Sequence, residues 1–260
     1  MTDPSRPAAL VTGAGRGIGR AIAFSLAEAG FDVVANDLER TDDAEATLQG
    51  IGARGGGVAF IAADVADIDR HAELADEAFG AFGRLDCLVN NAGVSVHVRG
   101  DLLDVSVESY DRCLAVNLRG PFFLTQRIAR RMLSEQRPPD APQRSIVTIT
   151  SVNAETLSID RGEYCVSKAG ASMMTQLFAE RLAPHGIAVF EVRPGVIRTP
   201  MTAVAAERYE RRIAEGLTPI ARWGEPEDIG RTVATLATGG LPFTVGQIVH
   251  PDGGLHRKAF

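Results

Sequence analysis

At 260 residues, with 45% apolar and 23% charged side chains, the chain is long enough to bury a sizeable core, and its composition is ordinary for a soluble globular protein. A net charge of −6 leaves no basic field to hold nucleic acid or an anionic membrane. The three cysteines, Cys87, Cys113 and Cys165, form no C-x-x-C pair, which excludes a disulfide framework and a cysteine zinc site and fits reduced thiols in the cytoplasm.

Residues 1–6 are polar and contain prolines, without the basic start and apolar run of a secretory signal, and no stretch approaches 18 uninterrupted apolar residues. Residues 8–12 are a buried first strand, followed by a helix over 18–29 that Gly30 closes. Further strands are expected at 32–36, 58–62, 85–90, 145–150 and 187–192, with a short last one at 247–250. Helices fill the gaps at about 67–82, 107–135, 163–184 and 226–238. Continuous apolar strands alternating with helices predict an α/β fold, a doubly wound parallel sheet of about seven strands with helices on both faces. No internal repeat or low-complexity tract interrupts the pattern. Residues 137–143 read as a surface loop, so a single dinucleotide-binding and catalytic domain is expected over 1–260.

Between the first strand and the first helix stands Thr12-Gly13-Ala14-Gly15-Arg16-Gly17-Ile18-Gly19. Glycines permit the tight turn and let backbone N–H groups approach a pyrophosphate, and the helix start adds favourable partial charge. A ligand-free glycine turn is the plain alternative. Asp37 follows the second strand, about twenty residues on. A carboxylate there accepts from the adenosine ribose hydroxyls and repels a 2′-phosphate, so NAD is expected over NADP. Arg16 in the turn would favour the 2′-phosphate, but the direct repulsion at Asp37 is the stronger determinant.

Tyr164-Cys165-Val166-Ser167-Lys168 is a Y-x-x-x-K pair. On a helix, positions four apart share a face, so the Lys168 ammonium would sit near the Tyr164 phenol and lower its pKa from about 10 toward neutrality. Ser151, just past the fifth strand, lies at the carboxyl edge where such sheets place ligands. Its hydroxyl there stabilises charge on a substrate oxygen, or merely caps a turn. Asn117 is a polar residue in an otherwise apolar helical stretch and must be hydrogen-bonded if buried. The histidines, His71, His97, His185, His250 and His256, are scattered without ligand spacing, so no metal is expected.

The glycine turn, together with Asn90-Asn91-Ala92-Gly93 at the end of the fourth strand, resembles the short-chain dehydrogenase/reductase family, in a branch often labelled 3-ketoacyl-acyl-carrier-protein reductases. The likeness runs from Leu10 to Gly254. It implies a Rossmann fold and a catalytic tetrad of Asn117, Ser151, Tyr164 and Lys168, with Asn117 in a water-holding proton relay to Lys168. It implies cofactor contacts from Gly13, Gly15, Arg16, Gly17, Ile18, Gly19, Asp37 and Leu38, with Asp64 and Val65 at the adenine edge. Asn91, Ala92 and Gly93 would serve sheet stability and cofactor contact, and Tyr164 and Lys168 would also touch the cofactor. In Pro194-Gly195-Val196-Ile197-Arg198-Thr199, which resembles the family's P-G-x-x-x-T stretch, Ile197 and Thr199 would hold the nicotinamide carboxamide beside Pro194 and Gly195. Three segments would border the substrate, at 94–102, 152–163 and 201–217, the last as a helical lid. Candidate substrate residues are Ser151, Asn153, Arg161, Tyr164 and His97. Their polar content favours a small sugar, polyol or hydroxy acid oxidised with NAD. The alternatives are an NADPH-dependent 3-ketoacyl-carrier-protein or general carbonyl reductase, and a non-catalytic dinucleotide-binding protein. The resemblance also implies a homotetramer, built on the helices at 107–135 and 163–184 and on residues 251–260.

Overall fold

The protein is seen in a computed structural model that describes residues 6–135 and 141–257. Seven strands form one sheet in the order β3-β2-β1-β4-β5-β6-β7, every pair parallel. They are β1 (Ala8–Thr12), β2 (Asp32–Asp37), β3 (Val58–Ala62), β4 (Cys87–Asn90), β5 (Arg144–Ile149), β6 (Ile187–Val192) and β7 (Ile248–Val249). The alternation of side chains along each strand splits the core in two. Ala9 and Val11 of β1 join Val33, Val89, Val147 and Val192 beneath α1 (Gly17–Glu28) and α9 (Pro226–Ala237). Leu10 joins Val34, Leu88, Ile146 and Val189 beneath α3 (His71–Phe82), α5 (Gly120–Ser134) and α6 (Gly162–Leu182) on the other face. A strand buried on both faces has no solvent-facing side, which is why these runs are mostly apolar and why the polar residues they do hold, such as Asp32, Asn36, Arg144 and Glu191, are buried and hydrogen-bonded. Strand order reverses between β1 and β4, which opens a crevice at their carboxyl ends.

Three local features depart from the expected element list. A helix, α2 (Asp42–Ala53), stands where no element was expected. Its signal was present in Thr41, whose side chain accepts from the Ala44 N–H, and in Asp42, Asp43 and Glu45 of the first turn. The single helix expected over 107–135 is α4 (Val107–Leu114), a π-helical turn at Ala115–Arg119, then α5. The last strand is two residues long instead of four. The lid expected over 201–217 is helical, as α7 (Pro200–Ala203) and α8 (Ala206–Ala214). Of the loop at 137–143, residues 137–140 lie outside the described residues, as do 258–260 of the expected C-terminal interface segment. Among the described residues no helix is long and apolar enough to cross a membrane, and no group of three or more His, Cys, Asp or Glu side chains could hold a metal ion.

Candidate active site

The glycine turn is held by its neighbours at the crevice. Thr12, at the end of β1, donates its hydroxyl to Val89 O (3.2 Å) and accepts from the N–H groups of Asn91 and Ala92 (both 3.0 Å). The Asn91 amide donates back to Thr12 O (2.9 Å) and Gly13 O (3.1 Å). The two motifs are therefore one clamped unit, and Thr12, passed over as a binding residue in the sequence, joins them. Gly13 and Gly17 have φ of +63° and +55°, and a Cβ on Gly19 would lie 2.0 Å from Gly13 O. Only glycine lets α1 start this close to the turn. Arg16 at the helix N-cap makes no side-chain cap, so the first N–H groups of α1, with Ile18 among them, face the turn as an anion cradle. The site therefore fits a dinucleotide pyrophosphate.

Asp37 closes the far side. Its Oδ2 accepts from the Gly15 N–H and its Oδ1 from the Leu38 N–H, both at 2.9 Å. The carboxylate is thereby fixed at the end of β2, with the Leu38 side chain exposed beside it. Asp64 accepts from Ala66 N–H (2.8 Å) past the end of β3, and Val65 is buried, its carbonyl tied to His71 Nε2 at 2.9 Å. His71, treated as scattered in the sequence, is thus a buried support of the backbone at Val65. Desolvation pushes its pKa down, so the neutral ring is favoured.

Asn117, Ser151, Tyr164 and Lys168 are all buried and converge on the same crevice. Ser151 follows β5 and stands beside the Tyr164 side chain, where its hydroxyl favours the ionised phenol. The π-helical turn widens the backbone at Asn117, the kind of bulge found at functional positions. The Asn117 amide accepts from Val94 N–H (2.8 Å) and donates to Val94 O (2.9 Å) and Ser167 Oγ (3.0 Å), while Ser167 donates to Tyr164 O (2.8 Å). A Cβ on Gly93 would lie 3.3 Å from Asn117 Oδ1 and 3.5 Å from Lys168 Nζ, so these groups meet around one glycine.

The electrostatics differ from the expected phenol–ammonium contact. Lys168 Nζ donates to Ile149 O at 3.0 Å and stands 5.8 Å from the centre of the Tyr164 ring. Burial raises the Tyr164 pKa above its ordinary value, against the opposing Ser151 hydrogen bond and Arg161 charge. The shared helix face aligns the two side chains, but it does not bring ammonium and hydroxyl into contact. Burial also pulls the Lys168 ammonium down from 10.5 to about 8, opposed by the Glu191 carboxylate. Glu191, fully buried, accepts from Thr150 Oγ1 (2.6 Å) and Ser172 Oγ (2.9 Å) and pairs with Arg193, which also pairs with Glu155. This network was invisible in the sequence, because its members sit on strands and helices far apart in the chain.

The depressed Lys168 has a measurable consequence. The unfolded chain keeps the lysine proton to higher pH, so wild-type stability rises between about pH 8 and 10.5. A depression of that size corresponds to about 3 kcal/mol against the charged form. Part of it is offset in Lys168→Met by stranding the Ile149 carbonyl, at about 1–3 kcal/mol. Denaturant unfolding should find the variant about 1 kcal/mol more stable than wild type at pH 7, with the gain gone by pH 10. An equal difference at both pH values would contradict the assignment.

Past β6, Pro194 and Gly195 turn the chain against Asp252, whose Cα a Cβ on Gly195 would approach to 2.7 Å. Ile197 is buried and bridges Gly224. Thr199 and Thr202 form a capping box on α7, with Thr199 N–H donating to Thr202 Oγ1 at 3.0 Å. The Thr199 methyl lies 3.7 Å from where a Gly17 Cβ would sit, so this loop stands over the glycine turn. On the substrate side, Asn153 is buried and its amide donates to Thr156 O (2.9 Å), within its own loop. His97 is exposed, with its backbone N–H on Ser109 Oγ (3.4 Å). The Arg161 guanidinium lies 5.4 Å over the Tyr164 ring. The three segments expected to border the substrate also carry exposed apolar side chains: Val98, Leu157, Ile159 and Val204 are each at least 77% exposed.

Comparison with known proteins agrees with this geometry. Residues 13–256 match the family model described as Enoyl-(Acyl carrier protein) reductase. The 3-oxoacyl-[acyl-carrier-protein] reductase FabG of Staphylococcus epidermidis is 36% identical over 95% of this chain and 98% of its own. A 3-oxoacyl-[acyl-carrier protein] reductase of Brucella melitensis, solved in complex with NAD, is 45% identical with a TM-score of 0.94, over 98% of this chain and 99% of that one. A putative 2-deoxy-D-gluconate 3-dehydrogenase of Agrobacterium tumefaciens with bound NADP is 32% identical with a TM-score of 0.85, over 98% and 99% of the two chains. The chain belongs to the short-chain dehydrogenase/reductase family and is an NAD(P)-dependent oxidoreductase acting on a CH–OH or carbonyl group.

Proposed function

We propose that the protein is an NAD-linked reductase of 3-oxoacyl compounds, with residues 1–260 acting as one catalytic domain. The observation that carries the chemistry is the burial of Asn117, Ser151, Tyr164 and Lys168 together, with Asn117 and Lys168 meeting around Gly93 next to the glycine turn. The substrate class rests on the 3-oxoacyl reductases among the relatives and on the apolar rim at Val98, Leu157, Ile159 and Val204, which suits an acyl chain better than a sugar. The expected preference for a small polar alcohol has less support than this reading. Asp37, fixed by the Gly15 and Leu38 amides, favours the unphosphorylated ribose of NAD.

In this mechanism the dinucleotide supplies the hydride when bound. Gly13, Gly15, Gly17 and Gly19 would carry its pyrophosphate on the start of α1, with Arg16 and Ile18 beside it, and Asp37 and Leu38 would receive the ribose. Asp64 and Val65 would border the adenine, and Asn91, Ala92 and Gly93 would also touch the cofactor. Pro194, Gly195, Ile197 and Thr199 would hold the carboxamide end. Ser151 donates a hydrogen bond to the substrate carbonyl oxygen, where negative charge develops. Tyr164, kept neutral by burial, gives that oxygen its proton. Lys168, 5.8 Å from the ring centre, stabilises the charge left on Tyr164, and Asn117 orders the backbone at Val94 and the Ser167 side chain beside it. Exposed Phe123 on α5 and Val166, Met173 and Leu177 on α6 supply the apolar face for a homotetramer.

The test is a substrate panel with NADH and NADPH in turn, read by absorbance of the reduced cofactor. Reduction of 3-oxoacyl compounds with NADH is expected to exceed oxidation of any sugar or polyol in kcat/KM. Turnover of sugars or polyols alone would return the site to the polar-alcohol reading.

A further inference from the structure

Among the groups around the phenol, Arg161 is not used by the chemistry above. Its Nε donates to Ser158 Oγ (3.1 Å), which fixes the guanidinium over the Tyr164 ring at 5.4 Å. The adjacent carboxylate does not neutralise it. Asp160 Oδ1 accepts from Ser158 Oγ at 2.6 Å, and its Oδ2 faces Arg99 at 3.8 Å and Arg208 at 3.6 Å. Glu155 is committed to Arg193, and Glu163 accepts from Ser109 Oγ at 2.6 Å on the inner side of α6. One carboxylate is thus shared by three segments that border the substrate, while three guanidinia stand around it. Among the described residues no carboxylate lies within ion-pair distance of Arg161, although Asp160 feels its charge, so the guanidinium over the Tyr164 ring has no direct ion-pair partner.

We infer that Arg161 determines specificity: its guanidinium receives the C1 oxygens of the 3-oxo substrate and prefers them as a free carboxylate, which makes short 3-oxo acids the favoured substrates. This rests on the 3-oxo reductase reading and narrows it. In a 3-oxo acid the anionic group is two carbons from the carbonyl carbon that Ser151 and Tyr164 address. A carboxylate there takes a charge-assisted, two-pronged bond from arginine, whereas a thioester or ester offers only one neutral acceptor. The reaction balances as 3-oxo acid plus NADH plus a proton giving 3-hydroxy acid plus NAD, with the carboxylate unchanged.

The experiment measures kcat/KM with NADH for 3-oxobutanoate, its ethyl ester and its N-acetylcysteamine thioester, in wild type, Arg161→Gln and Arg161→Lys. Loss of the Arg161 charge also shifts the Tyr164 phenol, but that effect is common to all three substrates and cancels in the ratio of acid to ester. The ratio should fall about thirtyfold in Arg161→Gln, the worth of one charged hydrogen bond, and recover in part in Arg161→Lys. NADH fluorescence checks that each variant still folds and binds cofactor. An acid-to-ester ratio that stays within about twofold of wild type would leave Arg161 as a prop of its loop and overturn the inference. So would a wild type that reduces the ester and thioester but rejects the acid, with the 3-oxo reading intact. Failure to reduce any of the three while NADH binds would remove that reading and this one together.

Discussion

Tyr164→Phe is expected to lower kcat for carbonyl reduction by about 10²–10⁴, while NADH binds within about fivefold of wild type, because the ring and its packing remain. The phenol is buried and its pKa lies above the ordinary value, so in the cofactor-free protein it is a proton donor across the neutral range. Reduction should therefore be flat through neutral pH and fall on the alkaline side, as the phenol loses its proton. Oxidation of the matching alcohol should rise with pH over the same window. Rapid-mixing kinetics with stopped-flow detection of NADH would separate the chemical step from product release. Turnover close to wild type in Tyr164→Phe, with cofactor bound, would transfer the acid role to another group.

Asp37→Ser should change the ratio of kcat/KM for NADH over NADPH by about 100-fold in favour of NADPH. Two charges about 4 Å apart at an effective dielectric near 20 interact by about 4 kcal/mol, and screening by water reduces this at a half-exposed position. About 3 kcal/mol corresponds to roughly a hundredfold. Serine keeps an acceptor for one of the two amides that Asp37 now binds, those of Gly15 and Leu38, so the turn should survive and the melting temperature serves as the control. An unchanged cofactor ratio in a folded variant would move the selection to Arg16, the exposed residue of the same turn.

The sequence by itself determined the sheet and the places where ligands meet it. Ala8–Thr12 is buried along its whole length, which only a covered parallel sheet accommodates, and Gly13 and Gly17 take positive φ that favours glycine. Local capping also marked α2 at Thr41, although hydrophobic periodicity did not. The tertiary structure decided the rest, because charges and hydrogen bonds depend on distance in space. The Y-x-x-x-K spacing aligned Tyr164 with Lys168, but only packing showed the ammonium on Ile149 O, the phenol raised by burial, and Glu191 and Arg193 beneath them. The widening of the long helix at Asn117 is a π-helical turn whose hydrogen-bond partners, the Val94 backbone and the Ser167 side chain, come from distant segments. Residues that looked alike as polar rim positions separated for the same reason: Asn153 is tied within its own loop, whereas Arg161 stands over the reacting ring.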